Sequence, residues 1–74
     1  MQTLRSPLHA RLVQWLIVPG AAVRSGDVIV ILEAMKMEHT ITAPASGIVK
    51  AFCFSVGEQV SDGAELVEFE VDKK

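Results

Sequence analysis

The sequence has a single cysteine, no tyrosine and no cluster of basic residues among its 74 positions. One cysteine cannot form an intramolecular disulfide, so we expect Cys53, in the apolar segment AFCFSV, to be a small buried hydrophobic residue. The seven basic residues are scattered among nine acidic ones, and the net charge of −2 argues against nucleic-acid binding. No apolar run is long enough for a membrane span or a signal peptide, which predicts a soluble cytoplasmic protein without a membrane partner.

The sequence also lacks the residue sets that metal sites and autonomous catalysts need. His9 and His39 are distant from each other and from Cys53 along the chain, so we predict no metal site and expect both histidines to be solvated or in loops. No pair of carboxylates, nucleophile with a base or phosphate-binding glycine loop can be assembled from the remaining residues. The sequence therefore argues against an enzyme that acts by itself.

What the sequence does contain is an internal repeat. Shifting the chain by 37 positions places residues 4–34 opposite residues 41–71 and gives six identical pairs, where roughly two are expected from ordinary composition. The identical pairs are Pro7 with Pro44, Gly20 with Gly57, Val23 with Val60, Gly26 with Gly63, Val30 with Val67 and Glu33 with Glu70. Half of the residues are apolar, so we expect the two repeats to share one core in a single domain over residues 1–74.

Each repeat has the pattern of β-structure. The β-branched and aromatic runs RLVQWLIV, VIVILE, GIVKAFCFSV and ELVEFEV predict strands, and glycines 20, 26, 57 and 63 fit turns with positive φ. The alternative is a short helix over residues 31–39, which contain good helix formers. We predict an all-β fold in which two similar half-sheets pack as a flattened sandwich or barrel with quasi-twofold symmetry. That symmetry places the Lys36 turn and its counterpart, Lys73 at the chain end, at opposite ends of the domain.

The segment EAMKMEH, residues 33–39, places one lysine between two methionines. The spacing predicts a tight hairpin over residues 34–37 that exposes Lys36. An exposed lysine amine is mostly protonated at neutral pH, and Glu33 and Glu38 favour that form, so Lys36 suits modification by another enzyme better than catalysis. Strand alternation puts Met35 and Met37 on the side opposite Lys36. These methionines either cover the end of the core or form an adaptable contact surface for a partner.

Three segments together carry a family resemblance. EAMKMEH, APASGIV at residues 43–49 and VGEQVSDG at residues 56–63 closely resemble the biotinyl domain of biotin-dependent carboxylases, the biotin carboxyl carrier family. The resemblance extends from about Leu4 to Val71 and implies a barrel-sandwich hybrid of two four-stranded sheets. It also implies covalent biotin on Lys36, with Met35 and Met37 as the flanking methionines. Ala34 and Glu33 match the residues that lead into the turn.

The same resemblance implies the partners of the chain. A biotin protein ligase attaches the biotin, a biotin carboxylase that uses ATP and bicarbonate loads it, and a carboxyltransferase passes the carboxyl group to an acceptor. In such a system the carrier makes and breaks no bonds itself. A chain cut from a eukaryotic carboxylase is expected in the mitochondrial matrix.

The sequence departs from the family pattern at three places. Ala10 stands where a glycine is common, so we expect a slightly altered first turn, and Ala21 replaces a frequent acidic residue. The protruding thumb of bacterial acetyl-CoA carboxylase carriers is missing from the first half. Its absence favours the carriers of propionyl-CoA, methylcrotonyl-CoA, pyruvate and similar carboxylases and decarboxylases.

Two other interpretations stay open on the sequence. A lipoyl domain is expected to have the same fold with a modified hairpin lysine, although that lysine usually follows Asp and precedes Ala. An unmodified β-sandwich adaptor, as in some membrane-fusion proteins, is expected to have the same fold with no modified lysine at all.

Overall fold

The computed structural model describes residues 2–71, which form eight β-strands and no helix. The all-β prediction is therefore confirmed, and the alternative helix over residues 31–39 is wrong because that segment is a strand, a turn and a second strand. None of the described residues belongs to a helix that is long and apolar enough to cross a membrane. The strands are β1 (Gln2–Arg5), β2 (Ala10–Trp15), β3 (Ala22–Val23), β4 (Val28–Ala34), β5 (Met37–Thr42), β6 (Gly47–Phe52), β7 (Gln59–Val60) and β8 (Glu65–Val71).

The strands form two antiparallel sheets of four, in the orders β1-β8-β6-β3 and β5-β4-β2-β7. The offset of 37 residues that relates the two halves of the sequence also relates their strands. The bounds of β2, β3 and β4 shifted by 37 are those of β6, β7 and β8, and shifted β1 coincides with the last four residues of β5. The shift also converts one sheet order into the other.

The two halves exchange strands instead of each forming its own sheet. β3 of the first half pairs with β6 of the second, and β7 of the second half pairs with β2 of the first. The expectation of two half-sheets stacked on one another was therefore wrong in this respect, although the two four-stranded sheets are confirmed. The sequence did not reveal this exchange because β3 and β7 are only two residues long and their pairing partners lie far away in sequence.

The exchanged segments are fixed by backbone hydrogen bonds that repeat under the same symmetry. The Gly20 amide donates to the Val49 carbonyl at 2.7 Å, and the Gly57 amide donates to the Leu12 carbonyl at 2.8 Å. All four glycines predicted to have positive φ do have it, and Gly57 has a φ of 93°. An L side chain rarely adopts this conformation, so glycine at position 57 lets the chain turn into the partner half's sheet.

The core lies between the two sheets and takes its residues from both halves. Leu12, Ile29 and Leu32 of the first half are fully buried, as are Val49, Leu66 and Phe69 of the second. Burying each such side chain contributes about 1.5–3 kcal/mol, so the shared core holds the halves together. Trp15 and Phe52, which are 37 residues apart, stack on each other with a centroid separation of 3.8 Å and an interplanar angle of 5°.

Three details differ from the sequence-based expectations. The strands predicted over RLVQWLIV and GIVKAFCFSV are shorter than expected. β2 ends at Trp15 and β6 at Phe52, because the chain then leaves its sheet to cross to the other one. Cys53 lies in the second crossing and is exposed, so its assignment to the core was wrong. His39 lies in β5 and is half-buried, not in a loop, whereas His9 is exposed as expected.

The β4–β5 hairpin and the end of β8 lie at opposite ends of the domain. Arg11 pairs with Glu33 near the hairpin and also with Gln59 of β7. The chain turns after Val60, and β8 then runs away from the hairpin for seven residues to Val71. Lys73, the expected counterpart of Lys36, lies outside the described residues.

The turn between β4 and β5 has an uncommon backbone. Ala34 pairs with Met37, so only Met35 and Lys36 connect the strands. Both have positive φ, 53° and 64°, which is the pattern of a type I′ turn. Residues such as Asn and Gly favour this turn, and other residues lose about 1–2 kcal/mol in the left-handed region. The extended ladder of β4 and β5 stabilises the turn against this strain.

Gly47 and Ala10 occupy equivalent positions with different surroundings. A Cβ added at Gly47 would overlap the Glu70 backbone oxygen and lie 2.9 Å from Cζ of Phe69. At the equivalent position, Ala10 is buried with its methyl group in place. The ladder of β2 and β4 begins at Arg11 and Glu33, whereas that of β6 and β8 begins one pair earlier, at Gly47 and Val71. β2 and β6 nevertheless begin at equivalent positions after loops of equal length, residues 6–9 and 43–46, so the altered first turn stays a prediction.

We expect Gly47→Ala to lower the free energy of unfolding by about 1–3 kcal/mol, because the new methyl group overlaps a backbone oxygen that cannot move freely. Urea unfolding measures this change. The control is Glu70→Ala, which removes the exposed ion pair between Lys50 and Glu70 and should change stability by less than about 1 kcal/mol. Since the clash involves the backbone, the double variant should remain as unstable as Gly47→Ala alone. An unchanged midpoint for Gly47→Ala would contradict this account.

We expect Met35→Asn to raise the free energy of unfolding by up to about 1 kcal/mol, because asparagine tolerates the left-handed conformation better than methionine. Little burial is lost, since Met35 is 94% exposed. The matched control is Met37→Asn, which lies in β5 and should be neutral or destabilising because asparagine is disfavoured in strands. Equal gains for both variants in urea unfolding would argue against strain in the turn.

Candidate functional site

Lys36 is presented at the tip of a well-supported hairpin. The β4–β5 ladder continues from Ala34 and Met37 through Glu33 with Glu38 to Leu32 with His39. Leu32 is fully buried, which anchors β4 in the core a few residues from the tip. The backbone at Lys36 is therefore held by the domain, while its side chain is exposed. The predicted hairpin over residues 34–37 is present, with the turn at its two central residues.

The methionines beside Lys36 are in solvent. Met35 is 94% exposed and Met37 is 62% exposed. The interpretation that they cover the end of the core is therefore wrong, and the alternative of an exposed contact surface agrees with the structure. The strand alternation expected for Met35 does not apply, because Met35 and Lys36 both lie in the turn. The flexible, polarizable thioethers at this tip are suited to contact with a partner.

The charged side chains of the β4–β5 hairpin differ in their pairing from Lys50 of the other sheet. Arg11 donates to Glu33 at 2.6 Å across the β2–β4 ladder, and both side chains are partly exposed. Lys50, on β6, pairs with Glu70 at 3.2 Å. Lys36 forms no salt bridge with any of the described residues 2–71. Its amine is thus accessible and not held by a neighbouring carboxylate, which distinguishes it from Lys50.

An open depression of about 380 Å³ lies beside the hairpin. Its walls include Ala10, Arg11 and Gln59 on one side and residues 33–36 on the other. Ala34 and Glu33 contribute to this wall as well as to the ladder, so both of these predicted site residues lie next to Lys36. His9 also lines the depression, but neither His9 nor Glu33 forms a salt bridge with Lys36. A solvated amine without such a partner is a poor catalyst.

The site suits a group attached by an amide bond to Lys36. Such a bond needs an accessible amine, which Lys36 provides, and it requires no pocket in the carrier. The described residues contain no group of three or more His, Cys, Asp and Glu side chains that are close enough to hold a metal ion. The exposed amine at the tip of the hairpin can accept a covalently attached group and present it to solvent.

Cys53 lies elsewhere, in the crossing after β6. Partial desolvation of the thiol and the nearby carboxylates of Glu65 and Glu68 all raise the pKa of Cys53. The thiol therefore stays protonated at neutral pH and is a weak nucleophile. Although exposed, Cys53 does not extend the candidate site.

Comparison with known proteins gives matches along most of the chain. A family model described as "Biotin-requiring enzyme" matches residues 2–73. The chain is 44% identical over 64 residues to the mitochondrial methylcrotonoyl-CoA carboxylase subunit alpha of Glycine max, covering 86% of this chain and 9% of that protein. It is 41% identical over 64 residues to the biotin carboxyl carrier protein of acetyl-CoA carboxylase from Solanum lycopersicum, covering 86% of this chain and 91% of that protein.

Solved structures agree with this similarity. A single-chain, multi-domain long-chain acyl-CoA carboxylase superimposes with a TM-score of 0.91 at 31% identity, covering 96% of this chain and 7% of that one. The lipoyl domain of the 2-oxoglutarate dehydrogenase complex from Azotobacter vinelandii has a TM-score of 0.80, with 92% of this chain and 94% of that one covered. Its identity is only 23%, so it shows the shared fold alone.

The lipoyl-domain structure confirms the barrel-sandwich fold. The sequence similarity favours a biotin carrier over a lipoyl carrier. Both relatives described above are biotin-dependent carboxylase components, and one is a carrier protein that the chain matches over almost its entire length. The chain spans only 9% of the much longer carboxylase subunit, as expected for one domain among several. It therefore belongs to the family of biotin-requiring enzymes, within which it is a non-catalytic biotinyl carrier domain.

Proposed function

We propose that Lys36 is the residue that carries biotin, and that the domain moves an activated carboxyl group between two enzymes. The observation that carries this proposal is the position of Lys36 in a two-residue turn at the exposed end of the β4–β5 hairpin. There the amine is accessible from several directions. A partner active site can surround the tip without contacting the core of the domain.

The neighbouring residues serve this attachment in different ways. The pairing of Ala34 with Met37 closes the turn and fixes the direction in which the chain enters and leaves Lys36. Glu33 ties β4 to Arg11 on β2, which limits the movement of the hairpin against the adjacent strand. The attached group therefore moves on the lysine side chain while the backbone beneath it stays in place.

Lys36 is favoured over Lys50 for physical reasons. Lys50 is partly exposed but lies within β6 and pairs with Glu70, so an enzyme would have to approach the flat face of a sheet. Lys36 lies in a protruding turn and is flanked by two exposed methionines. A ligase that encloses a protruding loop can reach the amine of Lys36 and simultaneously contact Met35 and Met37.

The partners we propose are a biotin protein ligase, a biotin carboxylase and a carboxyltransferase. Biotin, once attached, supplies a ring nitrogen that takes up a carboxyl group and gives it to an acceptor. Tethering raises the effective concentration of the carried group at both active sites, so neither site needs to bind the domain tightly. The similarity to long carboxylase subunits, of which the chain spans about a tenth, supports active sites located outside this domain.

We also propose a class of carboxylase and a compartment. Only residues 16–21 connect β2 to β3, which leaves no room for a protruding thumb in the first half. Together with the similarity to methylcrotonoyl-CoA and propionyl-CoA carboxylase subunits, this favours an acyl-CoA carboxylase without a thumb. Such a carrier is expected in the cytoplasm, or in the mitochondrial matrix if the parent protein is one of the mitochondrial carboxylases.

We expect Lys36→Arg to abolish biotinylation while leaving the fold intact, because a guanidinium keeps the charge but is not acylated by the ligase. The measurement is the intact mass after incubation with a biotin protein ligase, ATP and biotin, followed by peptide mapping. The matched control, Lys50→Arg, should gain one biotin as the wild type does.

Retained labelling of Lys36→Arg, or loss of labelling in Lys50→Arg, would overturn the site assignment. Failure of the folded wild type to gain biotin would overturn the biotin carrier proposal itself. In that case a gain of lipoate with a lipoate ligase would identify a lipoyl domain instead.

A further inference from the structure

The exposure of Met35 is unusual for a large apolar side chain. Among the described residues, the other exposed large hydrophobic side chains are Leu16, Val18, Met37 and Val56, at 43–67% exposure, against 94% for Met35. Met35 also occupies the left-handed region, where methionine has no conformational advantage. The thioether of Met35 is therefore almost fully accessible to small molecules in solution.

Access to solvent determines how readily methionine is oxidised. Exposed thioethers react with peroxides to give methionine sulfoxide, which specific reductases convert back to methionine. The change replaces a flexible apolar group with a polar, chiral one. At Met35 this change occurs directly beside Lys36, on the surface that a modifying enzyme must contact.

We propose that Met35 is a reversible oxidation site at which a peroxide oxidant turns off biotinylation of Lys36. This proposal rests on the proposed function, since it assigns a control to the same site. In the reaction the Met35 sulfur attacks one peroxide oxygen and the O–O bond breaks. The sulfur is oxidised by two electrons and gains one oxygen atom, and the peroxide is reduced to water.

The structure favours Met35 over the other oxidisable side chains that it describes. Met37 lies in β5, is paired with Ala34 and is 62% exposed, so it should react more slowly. Cys53 is exposed and can also react with peroxides, but it lies in the crossing after β6 and not on the hairpin that carries Lys36. Its oxidation therefore does not change the surface beside the amine.

Oxidation of Met35 should leave the fold unchanged. The side chain is in solvent and contributes nothing to the buried core, which consists of residues on both sheets. The effect is instead confined to recognition. A ligase that contacts an apolar tip loses that contact when the thioether becomes a sulfoxide, and it must also accommodate a larger polar group beside the amine.

The first arm of the experiment measures which methionine reacts. The apo protein is treated with a limiting amount of hydrogen peroxide, quenched and digested with trypsin. Cleavage after Arg24, Lys36 and Lys50 places Met35 in the peptide 25–36 and Met37 in the peptide 37–50, so the two sites are read separately. We expect one added oxygen on peptide 25–36 before peptide 37–50. The opposite order, or equal rates, would overturn the assignment of Met35.

The second arm measures the initial rate of biotinylation by a biotin protein ligase before and after the same treatment. We expect a severalfold fall for the treated wild type and recovery after incubation with the two methionine sulfoxide reductases, one for each epimer, and a dithiol reductant. The dithiol is oxidised to a disulfide while the sulfoxide oxygen leaves as water. Met35→Leu, which keeps an unbranched Cβ and an apolar side chain, should retain its rate after treatment. The matched control Met37→Leu should lose activity as the wild type does.

An unchanged rate for the treated wild type would overturn the proposal, as would an equal fall for Met35→Leu. Absence of labelling on untreated protein would overturn the proposed function as well, whereas the order of oxidation in the first arm is read without any ligase. The two failures are therefore distinguishable. Circular dichroism of the treated protein should match that of the untreated protein, and a loss of signal would place the effect in the fold instead.

Discussion

The exchange of strands between the two halves of the chain is the constraint on which the rest of the structure depends. Each sheet contains two strands from each half, and the two-residue strands β3 and β7 have their pairing partners in the other half. Neither repeat can complete a sheet or close the core alone. The domain must therefore fold as a unit, with long-range pairings that are slow to form but mutually stabilising.

A symmetric scaffold nevertheless carries an asymmetric site. The hairpin with Lys36 lies where the chain passes from the first repeat into the second, so β4 continues directly into β5. β8, the counterpart of β4, pairs instead with β1, which lies far away in sequence. The symmetry thus repeats the pair of strands, but only the β4–β5 pair is joined by a tight turn. Strain at Met35 and Lys36 is tolerated because this pair of strands supports the turn.

Much of the architecture could be predicted from the sequence, because the repeat, the glycines and the β-branched runs all report on local backbone structure. The tip of the hairpin was also predictable, since few residues separate the two strands around Lys36. The exchange of β3 and β7 was not, because a two-residue strand has no periodicity and its partner is set by tertiary contacts. For a similar reason the exposure of Cys53 was missed, and that of Met35 was only one of two open alternatives. An apolar residue in a turn or a crossing resembles a core residue until the path of the chain is known.

The stacking of Trp15 on Phe52 has a practical consequence. The chain contains one tryptophan and no tyrosine, so its intrinsic near-ultraviolet fluorescence comes almost entirely from Trp15. That indole lies at the contact between the two repeats, with its Nε1 donating to the Phe54 carbonyl at 3.2 Å. The emission therefore reports the joining of the halves. Because no aromatic residue lies in the segment from residue 33 to residue 39, covalent changes at the hairpin leave this optical signal as an independent record of folding.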